Sequence, residues 1–192
     1  HTVKSAKDDA KLVSDAYGFS LINFDIGNVF DQFKNELKHL GNFTDLEVLN
    51  SDINLKPRLR MATLYYIAAL YSALYHKTYL VVGTSNLCEL YVGYFTKGGD
   101  SVHDIAPIAS FTVEEVIEIG EYLGVPEKVL YKTPNDDLSN LSDEDKLGVT
   151  YQDIASYIED SKSIDISVAQ KIKKLHDQNQ HKFVIPTYRK KD

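Results

Sequence analysis

The stretch from Thr78 to Ile108 decides the fold and reads TYLVVGTSNLCELYVGYFTKGGDSVHDIAPI. It opens with an uncharged apolar run, Leu80-Val81-Val82, stopped by Gly83. Such a run fits a strand buried on both faces, as in a parallel sheet. Thr84-Ser85-Asn86 follows, three residues whose side-chain oxygens cap helices, and a short helix through Glu89 is expected next. In open α/β sheets, ligands sit in the crevice beyond the carboxyl ends of strands. Thr84 and Glu89 are expected at that crevice. A hydroxyl and a carboxylate there suit a hard cation such as magnesium, which takes oxygen ligands and accompanies phosphates. The polar run Thr96 to Ser101 contains Gly98-Gly99 and reads as a flexible loop, after which Asp104-Ile105-Ala106-Pro107 returns to extended chain.

Upstream, Arg58 to Tyr75 reads as a long helix beginning just after Pro57. It is apolar nearly all round, with Leu64, Tyr65, Tyr66, Ile67, Leu70, Tyr71, Leu74 and Tyr75, so it is expected to be buried in a core or between subunits. Ser5 to Tyr17 has helical spacing with Gly18 as its stop. Phe19 to Ile26 mixes apolar residues like a strand, Asn28 to Leu40 is helical, and Gly41 to Lys56 reads as a connection. Downstream, Thr112 with Glu115 forms a capping box for a helix ending at Leu123-Gly124. Thr133 to Gly148 is proline-containing and acidic, the pattern of a long loop that is functional or disordered. Thr150 with Asp153 and Ser167 with Gln170 start two further helices. Helices interleaved with strands indicate an α/β fold, a parallel sheet flanked by helices.

The chain has 192 residues, so a single domain over 1–192 is the default. A formal net charge of -7 with no basic stripe argues against nucleic acid as the main partner, but a few local cations still suffice for a phosphorylated ligand. The one cysteine, Cys88, excludes an internal disulfide and suits a reducing compartment. Met61 to Tyr75 is an uncharged run of 15 residues, too short for a membrane span. The first residues do not read as a signal peptide, and a cytoplasmic protein is expected.

These residues carry a resemblance. Val82-Gly83-Thr84, Glu89, Gly93-Tyr94-Phe95-Thr96-Lys97, Asp100 and Asp104 closely resemble the ammonia-dependent NAD synthetases, N-type ATP pyrophosphatases. The match continues through Arg58-Leu59-Arg60-Met61, Tyr122-Leu123-Gly124-Val125-Pro126, Lys132-Thr133-Pro134, Asp143-Glu144, Leu147-Gly148 and His181-Lys182. It covers nearly the whole chain, and the order and spacing of the pieces are more specific than any one of them. It implies a Rossmann-like fold of the adenine nucleotide alpha hydrolase type. It also implies ATP as co-substrate, a magnesium ion, and a homodimer, to which the apolar helix Arg58 to Tyr75 would contribute.

By the resemblance, Thr84 contacts ATP and Glu89 binds magnesium. Arg58, Lys97, Asp104, His181 and Lys182 contact deamido-NAD. The plainer readings are a surface glutamate, a solvated lysine, arginines flanking a helix start and a disordered tail. Asp100 reads either as a contact or as a residue that shapes its turn. Val113 stands where the family commonly has a lysine facing ATP, and Asn135 where it has serine or threonine, so neither phosphate role is carried over.

The family also holds pyrophosphate in a loop of the form S-G-G-x-D-S, and no such string occurs here. The reading therefore expects an incomplete N-terminal part and no NAD synthesis by these 192 residues alone. The reaction expected of the complete protein is an amide-forming ligation. Deamido-NAD is adenylated by ATP and then takes ammonia, giving NAD, AMP and pyrophosphate. The alternatives are a non-catalytic relative that binds dinucleotide or ATP, and another amidating ATP pyrophosphatase.

Overall fold

The computed structural model describes residues 4–134, 142–184 and 187–188. The first element, α1, is Lys4–Tyr17, stopped at Gly18 in the left-handed region, φ 67°. Helix α2, Gly27–Leu37, runs into a 3-10 turn, Lys38–Leu40. Helix α3, Asp45–Tyr75, is 31 residues long. Its start is a capping box: the Thr44 hydroxyl accepts the Glu47 amide, and Glu47 accepts the Thr44 amide at 2.7 Å. Two free donors of the first turn are thereby satisfied. The expected connection from Gly41 to Lys56 is therefore helical from Asp45 on. Pro57 lies inside the helix and is buried, where the sequence reading had placed the helix start.

Phe19 to Ile26 forms no strand, and Phe19, Leu21, Ile22 and Phe24 are exposed. A strand needs a neighbour to take its backbone groups, and among the described residues no bridge pairs this segment. Leu80-Val81-Val82 is likewise not buried on both faces. Val81 is 8% exposed, but Leu80 and Val82 are 52% and 51% exposed. The run makes a single parallel bridge, Val82 with Ile105. Asp104 donates its amide to the Val81 carbonyl at 2.8 Å, and Gly83 donates to Ile105 at 2.7 Å. The described residues thus carry the parallel pairing expected here but not an extended sheet.

The remaining helices are α4, Leu87–Val92; α5, Val113–Leu123; α6, Glu127–Leu130; α7, Asp143–Leu147; α8, Tyr151–Glu159; and α9, Ile166–Asn179. Asn86, Thr112, Ser142 and Thr150 cap four of them, each in a box closed by an acid three residues on. The last stretch of the expected Thr133 to Gly148 loop is accordingly helical. The cap of α9 is Asp165, which accepts the Ser167 amide, and not Ser167 itself. A core of Cys88, Val92, Leu147, Val149, Tyr151, Ile154 and Ile172 forms where α4 packs against α8 and α9. Each fully buried aliphatic side chain there contributes about 1.5–3 kcal/mol.

Candidate functional site

The site is built on the chain between α4 and α5. Helix α4 ends at Gly93, φ 70°, where a Cβ would fall 2.4 Å from the Asn179 side chain, so only glycine fits. The Thr96 to Ser101 segment, expected to be flexible, is a hydrogen-bonded turn fastened to α3. The Thr96 amide donates to Asp100 Oδ1 at 3.1 Å, and the Thr96 hydroxyl bonds Asn54 Oδ1 at 3.0 Å. The Gly98 amide donates to Ser101 Oγ at 3.1 Å. At Gly99 a Cβ would come within 3.0 Å of Pro57, so turn and helix meet backbone to ring. Asp100 here shapes the turn.

Two distant segments, α3 and the His181-Lys182 turn, converge on this turn and the residues leading into it. Arg58, exposed on α3, donates from Nε to the Lys97 carbonyl at 3.2 Å. Lys97 Nζ donates to the His181 carbonyl at 2.6 Å, across 84 positions of sequence. Lys182 Nζ donates to the carbonyls of Gly93 and Phe95 at 2.6 and 2.9 Å and lies 5.3 Å from the centre of the Phe95 ring. Burial holds the Lys182 ammonium below the usual lysine range. Asp104 accepts the Tyr65 hydroxyl at 3.2 Å and the Val81 amide at 2.7 Å, tying α3 to the end of the extended run. Arg58, Lys97, His181 and Lys182 are thus brought together, while Asp104 is bonded to Tyr65 and Val81 instead. The ammonium of Lys182 and the carboxylate of Asp104 already serve the protein's own backbone.

Beyond Gly83 the chain exposes Thr84. A Cβ on Gly83 would stand 2.5 Å from the His103 ring, so His103 covers the end of the extended run. Glu89 is the third residue of α4. Its Oε2 accepts the Asn86 amide at 2.9 Å, a capping role that the sequence reading missed. Burial first, then the charges of Asp143 and Asp100, push its carboxyl up to about 7, against the pull of the Asn86 amide. Asp143, which adds to that charge, was assigned no role in the sequence. Tyr94 donates its hydroxyl to Asp143 Oδ1 at 2.9 Å, and Tyr151 is buried in the core cluster. The sequence signal for Asp143 was its place in the matching piece Asp143-Glu144, which carried no assigned role.

Val113 is the first residue of α5 and packs against the core cluster, an apolar task that a lysine would not fill. Asn135 lies outside the described residues. Among the described residues no group of three or more histidine, cysteine or acidic side chains is arranged to hold a metal. Glu89 still fits a magnesium ion of the kind bound by one carboxylate and substrate phosphates. Its Oε1 carries no hydrogen bond among the described residues, and its crowded charge is one that a cation relieves.

A family model described as NAD synthase matches residues 1–186. The NH(3)-dependent NAD(+) synthetase of Alkaliphilus metalliredigens is 40% identical over 184 residues, covering 93% of this chain and 72% of that protein. The protein of the same name from Alkaliphilus oremlandii is 38% identical over 192 residues, covering 96% of this chain and 74% of its own length. Among solved structures, the NMN synthetase of Francisella tularensis superposes with a TM-score of 0.84 at 31% identity, covering 98% of this chain and 74% of that one. The NH3-dependent NAD synthetase of Campylobacter jejuni gives a TM-score of 0.72 at 25% identity, covering 99% and 74%.

Proposed function

The chain belongs to the NAD synthase family, and from that premise we propose that it serves as an ATP-dependent, ammonia-using ligase that converts deamido-NAD to NAD. A carboxylate is a poor acyl donor. The nicotinate oxygen therefore attacks the α-phosphorus of ATP, expelling pyrophosphate, and ammonia then displaces AMP from the acyl-adenylate to leave the amide. The observation that carries this reading is the convergence of Arg58, Lys97 and the His181-Lys182 turn on the loop that follows α4, the helix that carries Glu89.

In this reading the Arg58 guanidinium, anchored by Nε, turns its other N–H groups to substrate phosphate, which its planar fork suits. Lys97, His181 and Lys182 close the other side of the dinucleotide, with Lys182 holding the loop in shape. Thr84 offers its hydroxyl to ATP. Glu89 holds magnesium, which when bound neutralises phosphate charge. The isolated parallel bridge of Val82 with Ile105 supports the reading of a Rossmann-like fold with a parallel sheet. The exposed apolar face of α3 supports a homodimer through Arg58 to Tyr75. No described helix is long and apolar enough to cross a membrane. The buried free thiol of Cys88 suits the reducing cytoplasm.

The likeness to a protein named NMN synthetase favours a second reading, in which a mononucleotide takes the place of the dinucleotide. The test is to give the natural protein ATP, magnesium and ammonium with deamido-NAD or deamidated NMN. NAD, AMP and pyrophosphate in equal amounts are expected from the first. Amidation of the mononucleotide alone supports the second reading, and AMP from neither overturns the ligase assignment.

A further inference from the structure

We propose that His176 is a positioning residue for the dinucleotide: acting through Gln180, it sets where the turn carrying His181 and Lys182 sits on the substrate loop. The inference rests on the reading of that turn as a dinucleotide contact. The last carbonyls of a helix have no partner within it. At the end of α4 they are met from α9. His176 Nδ1 stands 2.8 Å from the Tyr91 carbonyl, and Asn179 Nδ2 donates to the Val92 carbonyl at 3.0 Å. Residues three apart share a helix face. Lys182, three positions further on, continues the series with the carbonyls of Gly93 and Phe95. Phe183 closes it, its ring edge-on to Phe95 with centres 5.2 Å apart.

The His176 ring does more than join two helices. It stacks on Tyr91, with centres 4.4 Å and planes 21° apart. A carbonyl only accepts, so Nδ1 carries the proton and donates to Tyr91. Nε2 is then an acceptor, and the Gln180 amide nitrogen lies 2.8 Å from it. The same nitrogen donates to the His176 carbonyl at 3.3 Å, so the nitrogen of that amide, not its oxygen, faces the ring. Stacking and the Nδ1 bond thus hold a fixed acceptor toward Gln180. Gln180 is the first residue of the 3-10 turn Gln180–Lys182, whose next carbonyl, that of His181, takes the Lys97 ammonium.

A histidine that only packed α9 against α4 would need the Tyr91 contacts and no acceptor at Nε2. Asparagine carries its amide nitrogen where imidazole has Nδ1. His176→Asn therefore keeps the bond to Tyr91 and removes the acceptor that faces Gln180, which separates the two roles. Gln180 is exposed, so Gln180→Ala cuts the same link from the other side without opening the core.

The test titrates deamido-NAD, and separately ATP, into the natural protein by calorimetry, with melting midpoints measured alongside. His176→Asn and Gln180→Ala should each weaken deamido-NAD binding about fivefold, the order expected of one hydrogen bond. The double variant should lose no more than either single one, because both cut the same link. ATP affinity and the melting midpoints should stay level, and in turnover KM for deamido-NAD should rise with kcat unchanged. Additive losses in the double variant overturn the inference. So does a loss for ATP as large as that for deamido-NAD with a lowered midpoint, the mark of a merely structural histidine. Wild-type affinity in both single variants, with binding lost in His181→Ala, overturns it and leaves the reading of the turn standing. No deamido-NAD binding by the wild type, or unchanged binding in His181→Ala, overturns both. If His176→Asn does not fold, Gln180→Ala decides alone: weakened deamido-NAD binding with ATP binding kept supports the inference, and unchanged binding overturns it.

Discussion

Helices α3 and α4 are both rich in apolar residues, and they end in opposite surroundings. In α4, Cys88 and Val92 are 0% and 1% exposed, enclosed by α8 and α9. In α3, 31 residues long, Pro57 is the one buried residue, and Leu64, Tyr66, Leu70 and Leu74 stand open along its surface. An apolar stripe therefore states that a helix seeks cover, not what covers it. For α4 the cover is this chain's own C-terminal half. For α3 the described residues supply little. That asymmetry is why α4 can carry a crowded carboxylate such as Glu89, whose strain the packed core around it sustains.

The comparison breaks most readily at the packed end. Ile154→Ala, at a fully buried position, should cost about 2–5 kcal/mol of stability, read as a shift in the urea midpoint. A loss below about 1 kcal/mol would mean that the cluster collapses around the gap and is no tighter than the α3 side.

A second, smaller effect concerns Glu89. Its carboxyl is held above the ordinary value, so the folded state binds the proton more tightly than the unfolded chain does. The resulting stabilisation is complete below the unfolded pKa of 4.5 and is lost as pH rises through about 7. Glu89→Gln keeps the capping geometry and removes the charge. The variant should gain roughly 1–3 kcal/mol over wild type at pH 8 and little at pH 4. Urea unfolding at the two pH values measures this. An equal difference at both would show that the site does not crowd its carboxylate.

The smallest change in the chain's own stability is expected on α3. Leu70→Ala should cost under about 0.5 kcal/mol at concentrations too low for association, because its side chain is half exposed. The same substitution should weaken self-association in sedimentation. A loss as large as that of Ile154→Ala, with association unchanged, would place this face inside the chain's own core and remove the contrast.

The sequence alone determined the features that close over three or four positions. The pairs Thr112–Glu115 and Thr150–Asp153 were legible as caps because donor and acceptor are chain neighbours. The same pattern at Thr44–Glu47 went unread beside the stronger signal of Pro57, which cost the first part of α3. The functional grouping of Arg58, Lys97, Asp104 and His181-Lys182 came from family resemblance, since nothing local links positions 84 apart. Only the tertiary structure decided that the glycine-rich turn is fastened to α3, that Leu80 and Val82 stand half open, and that burial raises the Glu89 carboxyl. The physical reason is range. A capping hydrogen bond is fixed by local geometry, but burial and charge crowding depend on which distant segments arrive at the same place.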